Sequence, residues 1–170
     1  MTFIDARDVP ADTTSTERLA AADLDYRVVD LSDDASAAAF ERAVDRGFLG
    51  AEPSAEMLAQ SRKTFAARRN IGVYEKHAPA AALPVATVNG WVTPLTLPGG
   101  GEIGMWAISV VTVSATHRRR GIARALLEGE LRAAASVGVA VAGLTVSEAT
   151  IYGRYGFGAA IPVAQVTVDT

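Results

Sequence analysis

The spacing of apolar positions changes repeatedly along the chain, and each change marks an element. Residues Met1–Leu24 are rich in Asp, Thr and Ala and hold no sustained period, which predicts a loose N-terminal arm. A first strand is expected over Tyr26–Leu31. Ser32 then stands where a helix N-cap belongs, ahead of a helix over roughly Ala35–Arg46 that stops near Gly47. A second helix starts at Pro53 or Ser54 and runs to about Arg69. Ile71–Glu75 reads as a short strand and Ala78–Ala82 as a loop. Two long strands follow, Val85–Leu97 and Glu102–Val113, joined through Pro98-Gly99-Gly100-Gly101, a turn whose glycines tolerate positive φ.

The second of these strands is apolar on both parities. Trp106, Ile108 and Val110 fall on one face, and Met105, Ala107, Val111 and Val113 on the other, as in a strand buried on both sides at the middle of a sheet. From about Arg119 the period becomes helical. Ala123, Leu127, Leu131 and Ala135 form an apolar stripe, while Arg124, Glu128 and Arg132 ladder the opposite face at i,i+4 spacing. Gly138 ends this helix. Val139–Val146 is a further strand, Thr150–Tyr155 a short helical piece and Ala164–Asp169 a last strand. Nothing repeats and no linker divides the chain, so residues 25–170 are expected to form one mixed α/β domain.

Composition narrows the chemistry. The chain has no cysteine, which excludes a disulfide scaffold, a thiolate metal site and a cysteine acyl-enzyme. His77 and His117 are its two imidazoles, too few for a histidine-built zinc site. The first twenty residues lack an apolar leader and no apolar run approaches the ~20 residues of a membrane span, so a cytoplasmic protein is expected. Charge is unevenly spread. Residues 1–60 carry 5 basic and 13 acidic side chains, whereas 61–132 carry 10 and 4. The basic middle calls for an anion, either nucleic acid or a phosphorylated small molecule.

Placement of that charge decides between them. The arginines gather in Thr116-His117-Arg118-Arg119-Arg120-Gly121-Ile122-Ala123-Arg124, where a central strand gives way to a helix. An arginine run by itself is commonly just a solvated face. Here it meets the first turn of a helix, whose unpaired N–H groups and dipole favour an anion. Gly121 and Ala123 leave room for a ligand to approach the backbone. A nucleic-acid binder would spread its charge and interleave aromatic residues; this chain has only Lys63 and Lys76 as lysines.

Arg118-Arg119-Arg120-Gly121-Ile122-Ala123 resembles the Gln/Arg-x-x-Gly-x-Gly/Ala signature of GNAT acetyltransferases, and Ile151-Tyr152-Gly153-Arg154-Tyr155-Gly156-Phe157 resembles their Phe/Leu-Tyr-x-Lys/Arg-x-Gly-Phe element about thirty residues on. The resemblance implies the acyl-CoA N-acyltransferase fold, a central, mostly antiparallel sheet flanked by helices. It also implies acetyl-CoA as cofactor and an amine as acceptor. Together with Leu144-Thr145-Val146-Ser147-Glu148, these segments are similar to the first domain of the enhanced-intracellular-survival (Eis-like) acetyltransferases, over about Tyr26–Asp169. Those proteins acetylate aminoglycosides and related polyamines. By that resemblance, Val111, Thr112, Val113, Arg118, Arg119, Arg120, Gly121, Ile122, Ala123, Arg124, Ser147 and Glu148 hold coenzyme A, and Tyr152 protonates the departing thiolate. Tyr155 is expected to be an ordinary core aromatic, and His117 to support the loop.

Full-length members of that group carry two further domains and draw their general base from the distant chain end. The acidic and tryptophan residues expected on the acceptor side near Gly47–Leu58 are not matched here, and Ile103–Val113 contains no acid. A base is therefore unassigned. Two readings stand: direct acetyl transfer to a small-molecule amine, with a homo-oligomer as one assembly open to it, or a non-catalytic domain that holds acyl-CoA without a competent acceptor site or is a fragment of a larger acetyltransferase.

Overall fold

The computed structural model describes residues 3–49, 54–79, 81–146 and 149–160. Strands β1 (Leu24–Val28), β2 (Arg69–Glu75), β3 (Ala86–Thr96), β4 (Glu102–Val113) and β5 (Val141–Leu144) form one sheet in the order β1-β2-β3-β4-β5. The first four pair antiparallel and β5 runs parallel to β4. Helices α1 (Thr13–Ala20) and α4 (Ile122–Ser136) cover one face, and α2 (Asp34–Gly47) and α3 (Ala55–Ala66) the other. This is the expected mixed α/β fold. Beneath α1 and α4 lie Leu19, Tyr26, Ile71, Val88, Trp106 and Leu126; beneath α2 and α3 lie Phe40, Val44, Phe65 and Tyr74.

Element ends follow capping chemistry. The Asp33 carboxylate, not Ser32, caps α2 by accepting from the Ser36 N–H at 2.8 Å. Ser54 caps α3, accepting from the Met57 N–H at 3.2 Å. That helix stops at Ala66, and Arg69 already belongs to β2. The start of α4 is delayed to Ile122 because Arg119 and Gly121 take left-handed φ values of 63° and 78°. A strand expected over 164–169 lies outside the described residues.

Two expectations need correction. Residues 1–24 are not a loose arm along their described length. Asp12 caps α1 by accepting from the Ser15 N–H at 2.8 Å, Leu19 is buried, and Ser15 donates to the Ala125 carbonyl of α4 at 2.7 Å. Gly129 permits that approach, since a Cβ there would meet the Tyr26 and Ser15 hydroxyls. The buried stripe of α4 is also rotated from the expected one. It runs through Ile122, Ala125, Leu126, Gly129, Glu130, Ala133 and Ala134; of the expected positions Leu127 is buried, Ala123 and Leu131 are half-buried, and Ala135 is exposed. A glutamate and a glycine on the buried face blurred the hydrophobic period. Glu130 is held by Arg69 and by Trp106 Nε1–H at 2.9 Å.

Candidate cofactor and transfer site

The end of β4 leads through a 3-10 turn (Ala115–His117) and residues 118–121 into α4. Left-handed backbone at Arg119 and Gly121, one residue apart, turns successive N–H groups to one side and shapes a concavity suited to an anion. No side chain caps α4 at Gly121, so its first N–H groups stay available to the same space. A β-carbon at Gly121 would find only Arg18 Nη2, at 3.7 Å, so the space above the loop is open.

A groove of about 450 Å³ runs over this loop. Arg118, Arg119, Gly121, Ile122, Ala123 and Arg124 line it, as does Val113 at the end of β4. Arg18, Arg154 and Tyr155 join them from α1 and from the turn after β5. Arg18 is illegible in the sequence, because the segment carrying it holds no sustained apolar period. Arg154 stood inside the second motif and could have been singled out. Tyr155 is not only a core aromatic, since its ring is also part of the groove wall.

Not every expected ligand faces the groove. The Arg120 side chain turns back to the Ala22 carbonyl, 3.2 Å away. Ser147 and Glu148 lie outside the described residues. His117 is buried, its Nδ1 2.9 Å from the Thr116 hydroxyl and its Nε2 3.6 Å from Glu75, which suits a support for the loop.

Upstream of the loop, β4 breaks its register with β3. Thr87 opposes Thr112 and Asn89 opposes Ser109, so β4 holds one residue more than its partner. This is a β-bulge, and it contains Val110 at φ 48°. A β-branched residue in that conformation is an outlier that its surroundings must impose. Pairing with β5 ends at Ile108–Leu144, just before the bulge. The Ser114 N–H donates to the Val85 carbonyl at 2.7 Å and so faces β3. By the alternation of an extended strand, the N–H groups of Val111 and Val113 face the edge that β5 has left. Thr112 differs from its neighbours: its hydroxyl is buried 2.7 Å from that of Thr87, away from this edge.

Tyr152 lies between two 3-10 turns, Ala149–Ile151 and Gly153–Tyr155, that follow β5. Its ring packs edge-on against Phe157, centroids 6.1 Å apart and planes at 80°. Burial pushes its hydroxyl above the ordinary phenol range, with the neighbouring Tyr155 adding to the shift. Glu102 cannot act as a base here. It opens β4, eight residues before Val110 and therefore roughly 26 Å away along the strand.

A sequence profile described as "Acetyltransferase (GNAT) domain" matches residues 29–160, most of the chain. The chain belongs to the GNAT acetyltransferase family. An uncharacterized N-acetyltransferase of Streptomyces griseus subsp. griseus is 41% identical over 138 residues, covering 81% of this chain and 31% of that protein. The chain thus spans about a third of the length of that relative. Among solved GNAT-like structures, Eis1 from Mycobacterium abscessus is 27% identical with a TM-score of 0.62, over 79% of this chain and 31% of that one. A predicted acetyltransferase with acetyl-CoA from Clostridium acetobutylicum matches in fold at 17% identity and a TM-score of 0.65, over 85% and 96% of the two chains. The GNAT assignment explains the strand order and the loop before α4 together.

Proposed function

We propose that this GNAT domain moves the acetyl group of acetyl-CoA to a primary amine of a small molecule, with Tyr152 as general acid. The observation that carries the reading is one continuous track. The edge of β4 left free by β5, bearing the Val111 and Val113 N–H groups, runs directly into the anion-binding loop of residues 118–123. The track suits a thioester on an extended arm that ends in phosphates. The pyrophosphate meets the loop, the arm follows β4, and the thioester carbonyl reaches the free N–H groups beside the bulge. A neutral amine attacks that carbonyl, the C–S bond breaks and the thiolate takes the proton of the Tyr152 hydroxyl, while the nitrogen gives its proton to water, from which the tyrosinate is reprotonated. An aminoglycoside- or polyamine-like acceptor is suggested by the likeness to Eis proteins alone.

Isothermal titration with coenzyme A, then mass spectrometry of an amine panel incubated with acetyl-CoA, tests the reading. Micromolar cofactor binding and a product heavier by one acetyl group are expected. Binding without any acetylated amine favours the alternative, a domain that only holds acyl-CoA. That alternative has one observation behind it: among the described residues, no acidic side chain lines the groove or the free edge of β4.

A further inference from the structure

The bulge in β4 raises a question of cause. Val110 occupies a backbone region that β-branched residues avoid, so something must hold it there. Its carbonyl accepts a hydrogen bond from the Thr87 hydroxyl at 2.7 Å. A hydroxyl has one proton, and a carbonyl can only accept, so the Thr87 proton is committed to Val110. The second contact of Thr87, 2.7 Å from the Thr112 hydroxyl, must then be donated by Thr112. The directions of both bonds are thus fixed. Thr87 is fully buried and Thr112 nearly so, which removes water as a competitor for either. The end of α2 closes the device from above: a β-carbon at Gly47 would collide with the Thr112 side chain, so the helix rests directly on it.

We propose that Thr87 is a positioning residue for acetyl transfer: its buried hydroxyl holds Val110 in the left-handed conformation and so aims the next N–H, that of Val111, at the thioester carbonyl. Thr87 never touches the substrate. It acts through the backbone of β4, and Thr112 fixes its rotor. The proposal rests on the acetyltransferase reading above. Without the hydroxyl the Val110 carbonyl loses this buried donor, and the bulge is free to relax toward a regular strand. The Val111 N–H then leaves its place, while the phosphate loop, several residues away, is unchanged.

Thr87→Val keeps the shape and removes the hydroxyl, and Thr87→Ser keeps the hydroxyl. Steady-state kinetics should show kcat for Thr87→Val down at least ~10-fold, because a misplaced oxyanion donor forfeits part of the ~10²-fold or more that such a donor supplies. Kd for coenzyme A, which has no thioester carbonyl, should stay within about threefold, and Thr87→Ser should recover most of the rate. Parent-like kcat in Thr87→Val overturns the proposal. So does a rate loss that tracks the melting temperature and coenzyme A affinity and is not rescued by serine, because packing alone would do that. If Thr87→Val fails to fold, Thr87→Ala, which also removes the hydroxyl, takes its place, and an unchanged kcat there counts against the idea. If the parent acetylates no amine, the reading of function fails separately. Thr87 is then judged by the affinity for acetyl-CoA relative to coenzyme A. A ratio that shifts in Thr87→Val upholds the aimed N–H, and an unchanged ratio refutes it.

Discussion

The proposed general acid, Tyr152, is a phenol whose ring is fixed in place. Its hydroxyl is protonated at neutral pH, as an ordinary phenol is, burial pushes its pKa further up, and its ring is held against Phe157. Tyr152→Phe keeps that packing and removes the proton. Acetyl transfer should fall by ~10²-fold while the melting temperature and coenzyme A affinity hold, as read by kinetics beside calorimetry. Parent-rate turnover in the variant would reduce the tyrosine to a packing residue. The arginines divide just as sharply. Arg119 lines the groove, whereas Arg120 reaches the Ala22 carbonyl, although neighbours in one arginine run look alike in sequence. A charge-assisted bond to phosphate contributes about 1.5–3 kcal/mol, so Arg119→Ala should weaken coenzyme A binding by roughly 10- to 100-fold. Arg120→Ala should change it by no more than about threefold. Equal losses by titration calorimetry would mean a diffuse field and not a built site.

At the scale of elements, α1 shows how a helix can escape a pattern search. It has eight residues and buries chiefly Leu19 and Ser15, so its apolar period is too short to register. It is held mainly by polar contacts: Asp12 caps it and also accepts two-pronged from Arg132 at 2.8–3.1 Å. Burial alone would raise the Asp12 carboxyl, but Arg132 and the Ser15 amide overcome it and hold the pKa below its ordinary value. A carboxyl depressed in the folded state contributes stability above its unfolded pKa of about 3.9 and loses it as pH falls through the folded value. Asp12→Ala should therefore lower stability by about 1–2 kcal/mol at pH 7, with the difference from the parent shrinking below about pH 4. Denaturant melts at the two pH values check this, and a gap independent of pH would remove charge from the explanation. By contrast β3, β4 and the start of α4 were legible within a few residues, because long apolar runs, a glycine turn and a change of period leave few alternatives. The loop of residues 118–123 was legible for the same reason. The bulge was not: its cause is a threonine on β3, twenty-three residues from Val110 in sequence.

Across the whole molecule, one buried ion pair joins the N-terminal segment, β2, β4 and α4. Arg69 binds the Glu130 carboxylate and donates to the carbonyls of Val9 at 2.9 Å and Pro10 at 2.7 Å, while Trp106 supplies a further donor to Glu130. Both charged side chains are wholly buried, so neither can turn to water when its partner is lost. Burial pushes the Glu130 carboxyl up, against the pull of Arg69 and Trp106. Arg69→Leu takes away that pull and should lower stability by about 3–5 kcal/mol at neutral pH, since it strands a buried carboxylate. The sign with pH follows. A carboxyl raised in the folded state favours folding when protonated and opposes it as pH rises through the folded pKa, so the deficit should be larger at pH 8 than at pH 5. Replacing both partners, Arg69→Leu with Glu130→Leu, should recover much of the loss, because no charge is then left unpaired. Chemical denaturation of the two variants at both pH values decides the matter. A deficit equal at pH 5 and pH 8, and not relieved in the double variant, would mean that Arg69 works through its bonds to Val9 and Pro10 and that the carboxylate carries no charge to compensate.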